Sequence, residues 1–242
     1  MSPKYVNFHF DKTGEISSEL ENRAKDFFVR AGAILEKEWS VEAPLPIAVS
    51  ILENASFRGG RTTGPKSWKY CFLLRDQRDG KIYCNVDIFN VLPDDAEKMI
   101  KHETAHFVVS GLVGDYDAYK RSYFLEEGTA GLDGATERLI AKMKKENVMK
   151  IRDPLSIKTM DDIAGDTNKE PFIDQLGYLT QFSAVEFLRK QNGERKIIEV
   201  YKNLKGGASL EETYKQICWE ELAVALSEWR AGIENRLYTQ KQ

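Results

Sequence analysis

Apolar residues recur along this chain with two different periods, and the change between them organises it. Over residues 17–39, Leu20, Ala24, Phe27, Phe28, Ala31, Ile34 and Leu35 fall at helical spacing, which predicts one amphipathic helix. Ile47, Val49 and Ile51 then alternate with their neighbours, the period of a half-buried strand. Residues 68–74 and 81–89 flank Asp79-Gly80, a strong turn signal, and predict a hairpin. In its second strand Ile82, Cys84, Val86 and Ile88 share one face. From Asp94 onward the helical period takes over. Asp94 and Glu97 have the spacing of a capping box, opening a helix that should run to about Val113 with Gly114 as its stop. Further helices are predicted over 125–147, 175–191, 194–204 and 209–238, the last opened by Ser209 and Glu212. One helix, a small mostly antiparallel sheet and then helices make an α+β fold. With no internal repeat and no low-complexity linker, a single domain over 1–242 is expected, helix plus sheet over 1–92 and helical over 93–242.

The helix opened at Asp94 carries His102-Glu103-Thr104-Ala105-His106, the pattern HExxH. Positions four apart stack on one helix face, so both imidazoles can reach one metal ion. Glu103 sits beside them, where a carboxylate can deprotonate a metal-bound water. Only three histidines occur in the whole chain, and two of them are here. A catalytic zinc takes three protein ligands and keeps a position for water, so a third donor is expected elsewhere. The segment Tyr123-Phe124-Leu125-Glu126-Glu127-Gly128-Thr129-Ala130 places two carboxylates about one turn into a new helix.

HExxH followed by this Glu-Gly-x-Ala segment resembles the gluzincin metallopeptidases, the peptidase MA-like group of thermolysin and the aminopeptidase N type. The resemblance implies a zincin-like fold, with the zinc site where the helix-plus-sheet and helical parts meet. It implies Zn²⁺ held by His102, His106 and Glu127, with twenty residues between the last two. Glu103 is then the general base. Phe124 stands where the family often has Trp, and Glu126 where it often has Asn or Ser. Gly128 and Ala130 match the small residues that let helices approach closely. The segment from Gly177-Tyr178-Leu179 to Leu188, with Gly193, resembles the tyrosine-led helix of the same group, which makes Tyr178 the candidate oxyanion donor. The likeness spans roughly residues 80–235, and the substrate it implies is a peptide or protein. The strand over 81–89 is the expected edge on which an extended peptide would pair. Thermolysin-like enzymes have an acid one turn after the ligand glutamate, where this chain has Gly131; Asp133 is nearby and reads as solvated. The Gly-x-Met-Glu-Asn signature of aminopeptidase N relatives is absent, which favours an endopeptidase. The rival reading is a non-catalytic zinc-binding pseudo-peptidase acting as an interaction module. Glu103 argues against it, since a structural zinc site needs no base there. A non-peptide amide as substrate stays open.

Composition narrows the partners. A net charge of −3, with 42% hydrophobic and 30% charged residues, describes an ordinary globular chain and gives no electrostatic case for nucleic acid or an anionic membrane. The glycine-rich loop Arg58-Gly59-Gly60 to Pro65 lacks the Lys-Ser/Thr ending of a phosphate-binding loop. Cys71, Cys84 and Cys218 form no CxxC pair, so a cysteine zinc cluster is excluded, and buried free thiols are favoured over a Cys71–Cys84 bridge. No stretch is long and apolar enough for a membrane span, and residues 1–8 lack a signal peptide's apolar run. A cytoplasmic protein is expected, or a secreted one if a leader has been removed. His9 and residues 238–242 read as surface.

Overall fold

The structure is a computed structural model, and it describes residues 6–41, 45–52, 73–76, 81–86, 88–91, 93–114, 122–131, 134–158, 162, 175–204 and 207–239. The loop 58–65, Cys71, Asp79-Gly80 and Asp133 lie outside the described residues. Two compact units divide the chain, residues 1–116 with 167–171 and residues 117–166 with 172–242.

The first unit opens with β1 (Val6–Thr13). Val6, Phe8 and Phe10 alternate there with Asn7, His9 and Asp11, the period-2 pattern of a strand, which adds an element to those expected. Helix α1 (Ser18–Trp39) follows, with Ser17 as its N-cap accepting from the Leu20 N–H at 3.3 Å, and stops at Ser40 in the left-handed region (φ 49°). Its buried face carries Ala24, Phe28, Ala31, Leu35 and Trp39. Phe28 meets Phe8 and Phe10 at ring separations of 5.6 and 6.0 Å. Strand β2 (Leu45–Leu52) then runs parallel to β1, with Phe8 opposite Ile47 and Phe10 opposite Val49. Strands β3 (Leu73–Asp76) and β4 (Lys81–Asn85) complete a sheet of order β1-β2-β4-β3.

The α+β class stands, but the sheet departs from the mostly antiparallel one expected. Among the described residues, β1–β2 and β2–β4 are parallel and only β3–β4 is antiparallel. The physical reason is the crossover: α1 returns the chain to the starting end of β1, so β2 must run in the same direction. The hairpin expected about Asp79-Gly80 is the one antiparallel pair. Its second strand is not an edge, because β4 lies between β2 and β3. That strand also ends at Asn85, earlier than expected, and Ile88–Val91 forms a short helix, α2.

Helix α3 (Pro93–Val113) begins one residue before Asp94, which therefore lies inside the helix and cannot be its N-cap. Gly114, at φ 71°, ends it as expected. Much of this helix is buried (Ala96, Met99, Ile100, Ala105, Phe107, Val108 and Val109), while Glu97 stays exposed and Lys98 and Lys101 are half-buried in its first half. It packs on α1, β2 and β3, and so belongs with the sheet. Lys101 pairs with Glu38 of α1 at 2.8 Å.

The second unit is helical: α4 (Tyr123–Thr129), α5 (Ala135–Lys145), α6 (Leu176–Asn192), α7 (Glu194–Asn203), α8 (Leu210–Cys218) and α9 (Leu222–Tyr238). Two segments expected as single helices are each broken. Residues 125–147 break ahead of Gly134, at φ 74°, and residues 209–238 break at Trp219, a left-handed residue (φ 65°) with an 87% exposed side chain. Helix α6 is the centre of the unit, packed by α4, α5, α7 and α9. Glu186 of α6 caps α5 across the helix pair, accepting from the N–H groups of Gly134 (3.1 Å) and Thr136 (3.0 Å).

Candidate metal centre

His102 and His106 sit one turn apart on α3, 1% and 6% exposed. Their Nε2 atoms lie 3.1 Å apart, with the rings nearly perpendicular at 86°. Two donors in a tetrahedral zinc shell with bonds of about 2.0–2.1 Å stand roughly 3.3 Å apart. The imidazole pair thus already has the spacing of two ligands on one ion. One ligand atom from each of His102, His106 and Glu127 lies within 4.8 Å of the others, and the three form a group able to hold a metal ion. Two imidazole nitrogens and one carboxylate oxygen are the donor chemistry of a borderline divalent cation. Glu103, between the histidines, is half-buried on the same helix.

The doubled glutamate divides its work. Glu126 is 3% exposed, and its Oε2 accepts from the Tyr201 hydroxyl of α7 at 2.9 Å. Successive residues on a helix point about 100° apart, so a Glu126 turned to α7 leaves Glu127 facing elsewhere. Gly128 sets how closely α4 approaches α6: a Cβ there would stand 2.2 Å from Val185 Cγ2 and 2.9 Å from the Gln181 carbonyl oxygen. The close approach implied by Gly128 is therefore made with α6.

Tyr178 lies in the first turn of α6, 2% exposed, with its ring 5.6 Å from that of Phe182. It neighbours Tyr123, which no motif in the sequence marks. Burial above all, and then the nearby Glu127 carboxylate, raise the Tyr123 pKa above that of an ordinary phenol, with the Tyr178 hydroxyl offsetting part of the shift. Tyr123 is therefore a protonated donor at any physiological pH. Tyr123 and Tyr201 stand on the inward faces of their helices, where a tyrosine reads as core, so nothing in the residue pattern singled them out.

Cys84 and Cys218 are buried free thiols, and burial pushes that of Cys84 up to about 12. Among the described residues, no helix is long and apolar enough to cross a membrane. No family model matches the chain, and no curated protein or solved structure matches it either.

Proposed function

We propose that the protein is a zinc-dependent metallopeptidase of gluzincin type, with an endopeptidase favoured over an aminopeptidase. The observation that carries this reading is the grouping of His102, His106 and Glu127 with Glu103 beside the histidine pair. His102 and His106 would bind Zn²⁺ through Nε2, and Glu127 would supply the carboxylate oxygen. When bound, zinc supplies Lewis acidity, lowering the pKa of a coordinated water toward neutrality and polarising the scissile carbonyl. Glu103 accepts the proton of the attacking water and passes it to the leaving amine. Tyr178, backed by Tyr123, is the candidate hydrogen-bond donor to the developing oxyanion, the kind of contact that contributes several kcal/mol in a water-excluded site. Burial of both imidazoles holds their rotamers and keeps bulk water from competing for the ion.

The sheet supports the reading in a form different from that expected. Strand β3, at an edge of the sheet among the described residues and antiparallel to its neighbour, is the strand on which an extended peptide could pair.

Metal analysis and peptide-library cleavage, run on wild type and Glu103→Gln, test the proposal. The expected result is zinc retained in both and cleavage lost in the variant. Stoichiometric zinc without cleavage by wild type refutes the peptidase and leaves a zinc-binding interaction module.

A further inference from the structure

The helical unit contains a cavity of about 210 Å³ whose described lining includes none of the proposed zinc ligands. Its walls come from α5, the extended segment after it, and the first turn of α6. Leu139, Met143 and Ile151, each 4% exposed or less, make its base. A dry apolar cavity of about 150 Å³ is enough to take a benzene ring, so this space has room for a ring and a short chain.

Charged residues also line it. Lys150 and Arg152 flank Ile151 and both line the cavity. Arg152 is held in place: Nε donates to the Ser156 hydroxyl at 3.2 Å and Nη1 to the Asp162 carbonyl at 2.5 Å. The Asp162 carboxylate balances it weakly, lying 3.9 Å from Nη2 while its Oδ2 accepts from the Lys158 N–H at 3.0 Å. Among the described residues, two cations and one carboxylate give the lining a net positive charge. The first turn of α6 adds to this: Gln175 gives it no side-chain cap, and Gly177 at the wall leaves the backbone open to approach.

We infer that this cavity binds a small organic carboxylate, with its apolar body on Leu139, Met143 and Ile151 and its carboxylate on Lys150 and Arg152. The residues named for it are not those named for zinc, and its test does not depend on metal.

Calorimetric titration of the full chain with 4-phenylbutanoate, before and after chelator treatment, reads it directly. The expected result is saturable binding of one equivalent, unchanged by the chelator, with 4-phenylbutan-1-ol at least roughly tenfold weaker because the charge-assisted contacts are lost. Lys150→Gln changes an exposed side chain and should weaken the carboxylate roughly tenfold while leaving the alcohol unchanged. Val148→Trp, which puts bulk into the wall, should abolish both. No saturable binding by wild type overturns the inference, as does equal affinity for acid and alcohol. Binding lost on chelation assigns the carboxylate to the metal centre and overturns it equally.

Discussion

Replacing Gly128 with alanine sets two calculable effects against each other. Gly128 lies within α4, where alanine is favoured over glycine by about 1 kcal/mol on helix propensity alone. The added methyl, however, would stand 2.2 Å from Val185 Cγ2, 2.7 Å from Val185 Cβ and 2.9 Å from the Gln181 carbonyl oxygen. Carbon atoms prefer about 3.5–4.0 Å, and a carbonyl in the middle of α6 cannot turn aside as a side-chain tip can. Helices α4 and α6 must then separate. Overpacking of this kind costs about 1–3 kcal/mol and sometimes more, and an overlap with backbone belongs at the upper end. The net expectation is a loss of about 2 kcal/mol, or roughly 4–8 °C in Tm for a chain of this length. Urea unfolding of wild type and Gly128→Ala measures it. Gly232→Ala in α9 is the control: nothing lies within 4 Å of its added Cβ, so propensity alone acts and stability should rise by about 0.5–1 kcal/mol. A Gly128→Ala protein as stable as wild type would refute the argument that this glycine sets the α4–α6 distance.

Other outcomes follow from the same geometry. The folded-state pKa of Glu186 is depressed: burial would raise it, but Lys190, Thr136 and the Gly134 N–H outweigh burial. Its contribution to stability is therefore present above the ordinary carboxylate pKa and fades as pH falls through the lower folded value. Glu186→Gln should cost about 1 kcal/mol at neutral pH and flatten the acid limb of a stability–pH curve, and an unchanged acid limb would contradict this. Tyr201→Phe removes the hydroxyl that Glu126 accepts from and should cost about 1.5–3 kcal/mol in urea unfolding. Cys84, its thiol raised to about 12, should resist alkylation in the native protein at pH 8 and react on unfolding, as mass spectrometry of the labelled peptide would show. Zinc at a hundredfold its Kd should stabilise the protein by about 2.7 kcal/mol, reversibly with chelator in a thermal melt.

Much of the architecture was legible because it rests on local signals. Gly114 and Ser209 mark helix ends by chemistry that needs no tertiary information, and each does so here. Strand direction was not legible. Alternation at Ile47, Val49 and Ile51 gives a face but no partner, so the parallel pairing imposed by the α1 crossover could not be read from it. The edge was misplaced for the same reason, since β4 and β3 have similar patterns and only their order in the sheet separates them. Helix breaks at Gly134 and Trp219 were missed because apolar periodicity continues across them, and Trp219 carries none of the usual residues of a left-handed stop. At the site, the spacing of HExxH was sufficient to bring two imidazoles together. The Glu-Gly-x-Ala likeness already favoured Glu127 over Glu126, but the partner of Glu126, Tyr201, lies seventy-five positions further along and no local pattern announces it.

Zinc affinity measured by competition with a chromophoric chelator, on wild type, Glu127→Gln and Glu126→Gln, addresses the central claim most directly. Losing a partner of a metal ligand costs roughly ten- to hundredfold in affinity, and losing a ligand should cost more. The account predicts one zinc per wild-type chain, at least about a hundredfold weaker binding in Glu127→Gln, and near wild-type affinity in Glu126→Gln. A wild-type chain without tight zinc, or affinity lost in Glu126→Gln and kept in Glu127→Gln, would contradict it.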